Sequence, residues 1–165
     1  MVDSQQNIWL ATLEGLMTFR NGLLYQVQFL ERGRPNLSEI NIHYLFEDKE
    51  ANVWVGTDEH GVLKINSNWD EADVLLPFLN PQTRGNEINT MLMDSSRTDN
   101  TFWFVNEKKK NLNVYRYQNN KLKYSRTFND KHDLPDVIRS IHLDDAFNLW
   151  INSNGGIYIF DRESQ

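Results

Sequence analysis

The sequence predicts an all-β chain of four repeats, each a small antiparallel sheet, and three observations lead to that fold class. Tryptophans recur at intervals of 45, 49 and 47 residues, at Trp9, Trp54, Trp103 and Trp150. An alternating apolar and polar run precedes each of the last three, and further apolar runs follow behind turn residues. Repeats of about 45 to 50 residues with short antiparallel strands are typical of β-propeller blades.

The strands of each repeat are located by their alternation, which indicates half-buried antiparallel strands. A first strand is predicted in the runs Ile40–Asp48, Ile88–Asp94 and Val137–Asp145. The strand that follows the tryptophan strand is predicted in Gly61–Asn66, Leu112–Gln118 and Gly156–Asp161, with a fourth strand in Lys121–Phe128. The prediction is therefore three, four, four and three strands in the successive repeats.

A spaced Asp–Asn–Trp motif accompanies the tryptophans. It occurs as Asp3, Asn7 and Trp9, as Asp48, Asn52 and Trp54, and as Asp144, Asn148 and Trp150. In the third repeat Asp94 lies nine residues before Trp103, so that turn is three residues longer.

Each motif residue has a structural explanation. The Asp can accept backbone N–H bonds across a hairpin turn, and the Asn tolerates the left-handed conformation that such turns need. The Trp can fill the space between neighbouring sheets, and a glycine permits the next turn. We therefore predict structural rather than chemical roles for Asp3, Trp9, Asp48, Trp54, Trp103, Asp144, Trp150, Gly155 and Gly156.

The stretch His132–Asp161 resembles the two-component regulator propeller repeat. That repeat typically runs Leu-Pro, an alternating strand, Asp, Gly-Asn, an apolar residue, Trp, a strand ending in Gly-Thr, Gly-Gly and Leu-Tyr. The resemblance extends over essentially the whole chain as four copies. The usual glycine before the Asn is replaced by Gln6, Ala51 and Phe147, and the third copy carries NEKKKN where the glycine signals would stand. These departures question the turn geometry more than the blade assignment.

The resemblance implies a function as well as a fold. In that family the repeats build seven-bladed propellers, often two in tandem, which form the extracytoplasmic sensor of membrane-bound histidine kinases, hybrid kinases or diguanylate cyclases. We accordingly expect residues 1–165 to form one propeller fragment, an open arc cut from a larger ring, with repeats at about 1–35, 36–84, 85–132 and 133–165. The expected location is periplasmic, and the expected role is non-catalytic ligand sensing.

Composition narrows the choice of partners. The net charge of −6 argues against nucleic-acid binding, and the absence of cysteine excludes disulfides and thiolate metal sites. No apolar run approaches the roughly 20 residues that span a membrane, and the first residues, MVDSQQ, do not form a signal peptide. We expect self-association through exposed blade faces or edges.

Candidate binding residues are sought outside the repeated positions, in long loops. An aromatic ring with arginines would suit a sugar or an anionic glycan, by stacking and bidentate hydrogen bonds. The candidates are Trp69, Arg84, Arg32, Arg34 and His60, although Trp69 could instead cover an apolar blade edge. No metal, cofactor or catalytic residue is predicted, because the histidines lack metal-ligand spacing and no two carboxylates are placed across a cleft.

Two other functions remain open at this stage. A protein-interaction propeller could dock a partner through its charged repeats: Glu47–Asp73 holds eight acids and two bases, and Arg97–Arg126 holds eight bases and two acids. A propeller glycan hydrolase or lyase is the third possibility. Binding of a partner that weakens as salt is added would favour the interaction propeller. Turnover of a glycan would favour the hydrolase or lyase.

Overall fold

The computed structural model describes residues 1–28, 37–38, 40–58, 60–68, 72–74, 88, 90–94, 100–106, 111–119, 121–128 and 134–160. Within these ranges the chain forms strands and no helix, in four antiparallel sheets of three, four, four and three strands. The all-β fold class and the predicted strand counts are confirmed. The chain divides into two compact units, residues 1–87 and 88–165, with two sheets in each.

The first unit contains sheets 1 and 2. Sheet 1 consists of β1 (Ile8–Thr12), β2 (Gly15–Arg20) and β3 (Leu23–Gln26), in that order. Sheet 2 consists of β4 (Ile42–Glu47), β5 (Val53–Thr57), β6 (Val62–Ile65) and β7 (Ala72–Val74), again in sequence order.

The second unit contains sheets 3 and 4. Sheet 3 consists of β8 (Thr90–Asp94), β9 (Thr101–Asn106), β10 (Asn111–Gln118) and β11 (Lys121–Phe128). Sheet 4 consists of β12 (Ile138–Leu143), β13 (Leu149–Ser153) and β14 (Gly156–Phe160). Every strand pairs with its neighbours in sequence, so each sheet is a meander.

In each unit the core lies between two sheets. In the first unit, Trp9 and Leu16 of sheet 1 pack with a patch of buried aliphatic residues on sheet 2, namely Ile42, Val53, Val55, Leu63 and Ile65. Val53 and Val55 are two residues apart, as the period of a strand requires for side chains on one face. Trp9 is fully buried in this cluster between the two sheets.

The second unit repeats this arrangement. Trp103 of sheet 3 packs with Ile138, Ile141, Leu149, Ile151 and Phe160 of sheet 4. Its ring stacks on Phe128 at 5.9 Å between centroids, and Phe128 meets Phe160 edge-on at 4.9 Å. Both units thus place the tryptophan face of one sheet on the aliphatic face of the next.

The Asp of each motif closes the turn before the tryptophan strand. In the first repeat, Trp9 Nε1 donates to Asp3 Oδ2 at 2.8 Å, and the Asn7 backbone N–H donates to Asp3 Oδ1 at 2.8 Å. The same indole-to-carboxylate bond measures 2.7 Å from Trp54 to Asp48 and from Trp150 to Asp144. The aspartate of each of these motifs thus joins its turn to the tryptophan strand.

The prediction that the Asn takes the left-handed conformation is wrong. The residue with positive φ is the one before it, Gln6 at 67°, Ala51 at 61° and Phe147 at 62°, and Asn100 at 48° holds that place in the third repeat. The Asn instead turns its side-chain amide to the Asp, as Asn52 Nδ2 does to Asp48 Oδ2 at 2.9 Å. The turn geometry therefore survives the loss of the usual glycine.

The fourth repeat turns at Asn154 and Gly155, directly before β14. Gly156 has a φ of 133°, a conformation that favours glycine. At Gly155 a Cβ atom would lie 3.0 Å from the Tyr158 hydroxyl oxygen, so a side chain there would crowd that ring.

In the described part of the chain, no helix is long and apolar enough to cross a membrane.

Candidate functional site

Of the five residues predicted to bind a ligand, the structure describes His60. Trp69, Arg84, Arg32 and Arg34 lie outside the described residues, so their binding role stays a prediction. His60 lies in the turn between β5 and β6, where its backbone N–H donates to Thr57 Oγ1 at 3.0 Å. Its Nδ1 is buried and has no hydrogen-bond partner among the described residues.

A cavity of about 430 Å³ lies beside the β2–β3 hairpin of sheet 1. This volume falls in the usual range for small-molecule sites. The described residues that line it are mostly polar and come from β2, β3 and the residues beside them: Thr18, Arg20, Asn21, Tyr25, Gln26, Val27 and Gln28.

The strand register brings the central lining residues together. Thr18 of β2 pairs directly with Tyr25 of β3, so their side chains lie on the same face of the sheet. Arg20 is two residues beyond Thr18 and belongs to that face as well. The strands are joined by Asn21 and Gly22, whose positive φ values of 51° and 80° are those of a type I′ hairpin turn.

Thr18 is the most unusual member of this site. It is only 3 % exposed, and its Oγ1 has no hydrogen-bond partner among the described residues. A buried hydroxyl without a partner costs about 1–3 kcal/mol. Tyr25, directly across the sheet, is 46 % exposed and offers its ring for stacking.

The amides of the site are already oriented by the chain. Gln26 Nε2 lies 3.3 Å from the Glu14 carbonyl oxygen and 3.4 Å from that of Ser38, and donates to both. Gln28 Nε2 in turn donates to Gln26 Oε1 at 3.5 Å. The site therefore combines a phenol, a guanidinium, a hydroxyl and amides. Its described lining contains no carboxylate and no imidazole, the groups that most often act as general acids and bases.

A second polar cluster lies in sheet 2. His43 Nε2 bonds to Asp58 Oδ1, and Asn41 Nδ2 donates to Asp58 Oδ2 at 2.8 Å. The Asp58 backbone N–H also donates to the Asn41 carbonyl oxygen at 3.2 Å. These bonds tie the start of β4 to the end of β5, which gives His43 a structural role. Among the described residues no group of three or more His, Asp or Glu is placed to hold a metal ion.

A smaller, basic cavity of about 270 Å³ lies in sheet 3. Its described lining is Thr101, Trp103, Val114, Arg116, Ser125 and Arg126. Arg116 pairs in register with Lys123, so a third basic residue lies on the same face beside the cavity. The Arg126 guanidinium lies 4.6 Å from the centroid of the Phe128 ring. Arg116, Lys123 and Arg126 belong to the basic third repeat.

The cavity of sheet 1 was not predicted from the sequence. Tyr25 and Thr18 look like any exposed aromatic and any strand threonine in the sequence. The available signal was the Asn21–Gly22 dipeptide, which predicts a two-residue hairpin and thereby fixes which β2 and β3 residues lie opposite each other.

The fold is that of β-propeller blades. No family model matches the chain, and no curated protein matches it. Among solved structures, 96 % of the chain superposes on the extracellular domain of BT4673, a proposed hybrid two-component system of B. thetaiotaomicron, with a TM-score of 0.70 and 20 % identity. The match covers 20 % of that domain.

Enzymes share the same fold. The gluconolactonase XC5397 from Xanthomonas campestris matches 99 % of the chain at a TM-score of 0.72 and 15 % identity, and the chain covers 58 % of it. A catalytically inactive virginiamycin B lyase from Staphylococcus aureus, with quinupristin, matches all of the chain at 0.66 and 14 %, with 52 % of the lyase covered. The chain thus spans between about a fifth and three fifths of these proteins, and likeness at such identity shows the fold alone.

Proposed function

We propose that this chain is a non-catalytic, ligand-sensing propeller segment of the extracytoplasmic part of a bacterial two-component sensor. The proposal rests on the resemblance of its repeats to the two-component regulator propeller repeat, and the BT4673 extracellular domain shows that such a sensor can have this fold. In the complete sensor, the ligand would bind one of two arrangements of the sensor more tightly than the other. This shift in population would change the activity of a cytoplasmic kinase or cyclase domain.

The cavity of sheet 1 carries the binding part of the proposal. Carbohydrates are recognised by an aromatic ring under an apolar sugar face and by amides, hydroxyls and guanidinium groups at the sugar hydroxyls. Tyr25 and Arg20 bring a ring and a guanidinium group to one face of one hairpin, and Gln26 and Gln28 add amides to the cavity lining. We therefore propose a carbohydrate ligand at this cavity.

The same cavity favours binding over cleavage. Glycoside hydrolysis needs two carboxyl groups on either side of the bond, and the described lining supplies none. Enzymes among the fold neighbours show that propellers can carry chemistry, but a shared fold does not by itself imply a shared function.

The test is titration of the purified chain with a panel of neutral and anionic oligosaccharides by calorimetry, followed by product analysis of each mixture. Tyr25→Ala should weaken a bound glycan about tenfold, equivalent to about 1.4 kcal/mol. The matched control is Tyr158→Ala, because Tyr158 is 41 % exposed against 46 % for Tyr25 and lies in the last strand of another sheet. Released sugar products would overturn the non-catalytic role, and equal weakening by both variants would overturn the assignment to this cavity.

The basic cavity of sheet 3 favours a second candidate function, docking of an acidic protein partner. Arg116, Lys123 and Arg126 lie beside one another there. If that surface binds the partner, raising the salt concentration from about 50 to about 300 mM should weaken binding by an order of magnitude or more, because the Debye length shrinks. Binding indifferent to salt would count against docking through this surface.

A further inference from the structure

Two apolar sheet faces are exposed at opposite ends of the strand order. On sheet 1, the exposed fractions are 39 % for Ile8, 38 % for Leu10 and 41 % for Phe19. On sheet 4, they are 70 % for Ile157 and 60 % for Ile159. Contiguous apolar faces of this kind are uncommon on monomers and mark interaction surfaces.

The exposed face of sheet 1 has a buried counterpart in sheet 2. Ile8 directly precedes Trp9 as Val53 precedes Trp54, and each pairs across the hairpin with an apolar residue, Phe19 and Ile65. In sheet 2, Val53 and Ile65 are fully buried, because the Trp9 face of sheet 1 packs on them. The aliphatic face that is covered in sheet 2 is therefore uncovered in sheet 1.

The exposed face of sheet 4 has its counterpart in sheet 3. Ile159 pairs with Trp150 as Val114 pairs with Trp103. Val114 is 4 % exposed, since sheet 4 packs on it, whereas Ile159 is open. Likewise, Ile157 occupies the register position that Leu16 holds in sheet 1, where the leucine is fully buried. The tryptophan face that is covered in sheets 1 and 3 is uncovered in sheet 4.

We propose that a second copy of this chain covers both faces in head-to-tail association, with the Trp150 face of sheet 4 in one copy packed on the Ile8 face of sheet 1 in the next. Such an association would repeat a sheet-on-sheet interface that the chain already makes twice. Sheet 1 on sheet 2 and sheet 3 on sheet 4 both join a tryptophan face to an aliphatic face. The two open faces are one of each kind, so they complement each other and neither complements itself.

Head-to-tail association has a consequence that a symmetric dimer lacks. The two surfaces are different, so each copy uses one face to bind the copy before it and the other face to bind the copy after it. Such heterologous association forms either a closed ring or an open filament. A variant damaged on one face keeps the other face intact. Two such variants, one damaged on each face, can therefore form one good interface when mixed, although neither can associate alone.

The experiment is light scattering coupled to size exclusion of the purified chain across concentrations. Wild type should run above monomer mass, and Phe19→Glu and Ile159→Glu should each be monomeric. An equimolar mixture of the two variants should give a dimer. Leu13→Glu is the control, because Leu13 is 71 % exposed in the turn between β1 and β2, outside both faces. It should associate like wild type.

Each other outcome overturns the proposal. A monomeric wild type would show that no second copy covers these faces. If Ile159→Glu still dimerised while Phe19→Glu did not, two sheet 1 faces would be pairing symmetrically. Circular dichroism checks that the variants fold. Leu24→Glu and Ile157→Glu, at residues that are 56 % and 70 % exposed on the same faces, replace any variant that does not.

Discussion

Trp103 donates its indole N–H to Asp94 Oδ2 at 3.3 Å across nine residues of sequence, where the other three repeats make the same bond across six. The two residues are the last of β8 and the third of β9, and they keep their positions in the sheet. The pairing of carboxylate and indole is thus conserved across all four repeats, while the length of the turn between them is not.

Loss of a buried Asp should destabilise the fold. Asp3 is 4 % exposed and accepts bonds from the Trp9 indole, the Asn7 amide and two backbone N–H groups. Asp3→Ala leaves these donors without their acceptor, so we expect a loss of about 3 kcal/mol in the free energy of unfolding, measured by urea denaturation. Asp145→Ala removes an exposed carboxylate and should change it by less than about 0.5 kcal/mol. Equal effects would contradict the role given to Asp3.

Relief of the left-handed turn should stabilise the chain. Ala51 has a φ of 61°, which costs a residue with a Cβ about 1 kcal/mol or more. Ala51→Gly should therefore raise the free energy of unfolding by roughly 0.5 to 1 kcal/mol, even though glycine is more flexible in the unfolded chain. Ala146→Gly, at an exposed turn residue without positive φ, should lower it. A destabilising Ala51→Gly would contradict the strain argument.

The Thr18 hydroxyl, which has no partner among the described residues, predicts a gain in stability when it is removed. Thr18→Val keeps the shape and removes the buried Oγ1, so the chain should become more stable by about 1 kcal/mol. The control is Thr57→Val, because Thr57 is fully buried and its Oγ1 donates to the Gly61 carbonyl oxygen at 3.0 Å. That variant should be destabilised. Matching losses of stability in both would show that Thr18 has a partner.

Acid should weaken the fold through the motif aspartates. Hydrogen bonds from the Asn148 side chain and the Trp150 indole hold the pKa of Asp144 at about 2. At Asp3 burial raises the pKa, but bonds from Trp9, Asn7 and Gln5 outweigh it and leave the pKa below its ordinary value. A carboxylate whose pKa is lowered by folding stabilises the fold above its unfolded pKa of about 4, and this contribution disappears as pH falls toward the folded pKa.

Urea midpoints measured from pH 6 to pH 2 should therefore be steady above about pH 4 and fall below it. Asp144→Asn should make that fall shallower, because the substituted residue no longer titrates. Asp145→Asn, at the exposed neighbouring residue, should follow the wild-type curve. A midpoint independent of pH over this range would contradict the assignment.

Much of the fold could be predicted from the sequence because the residues that define each repeat are separated by short, regular intervals. The interval from Asp48 to Trp54 and the alternation of β5 report one turn and one strand, and both are visible without knowing any distant contact. The conformation of the residue before the Asn was missed, because Gln6, Ala51 and Phe147 are residue types that seldom have positive φ. In these turns the bonds to the Asp fix the backbone and override the local preference.

The candidate site could not be predicted in the same way. Whether Thr18 faces Tyr25 depends on the register of a hairpin, and a shift of one residue would place them on opposite faces. The orphaned hydroxyl of Thr18 is a property of packing around it, which no spacing records. The loop residues chosen for binding, such as Trp69 and Arg84, were selected because they break the repeat, and their binding role stays a prediction.

Every sheet of this chain is assembled from strands that follow one another in sequence, so its hydrogen bonds close only short loops. Proteins rich in such local pairings reach their native state quickly, because little chain entropy is lost before each contact forms. A sheet could then form as soon as its last strand leaves the ribosome. Its tryptophan face would stay uncovered until the next sheet is synthesised. Translation itself would set the order in which the layers join.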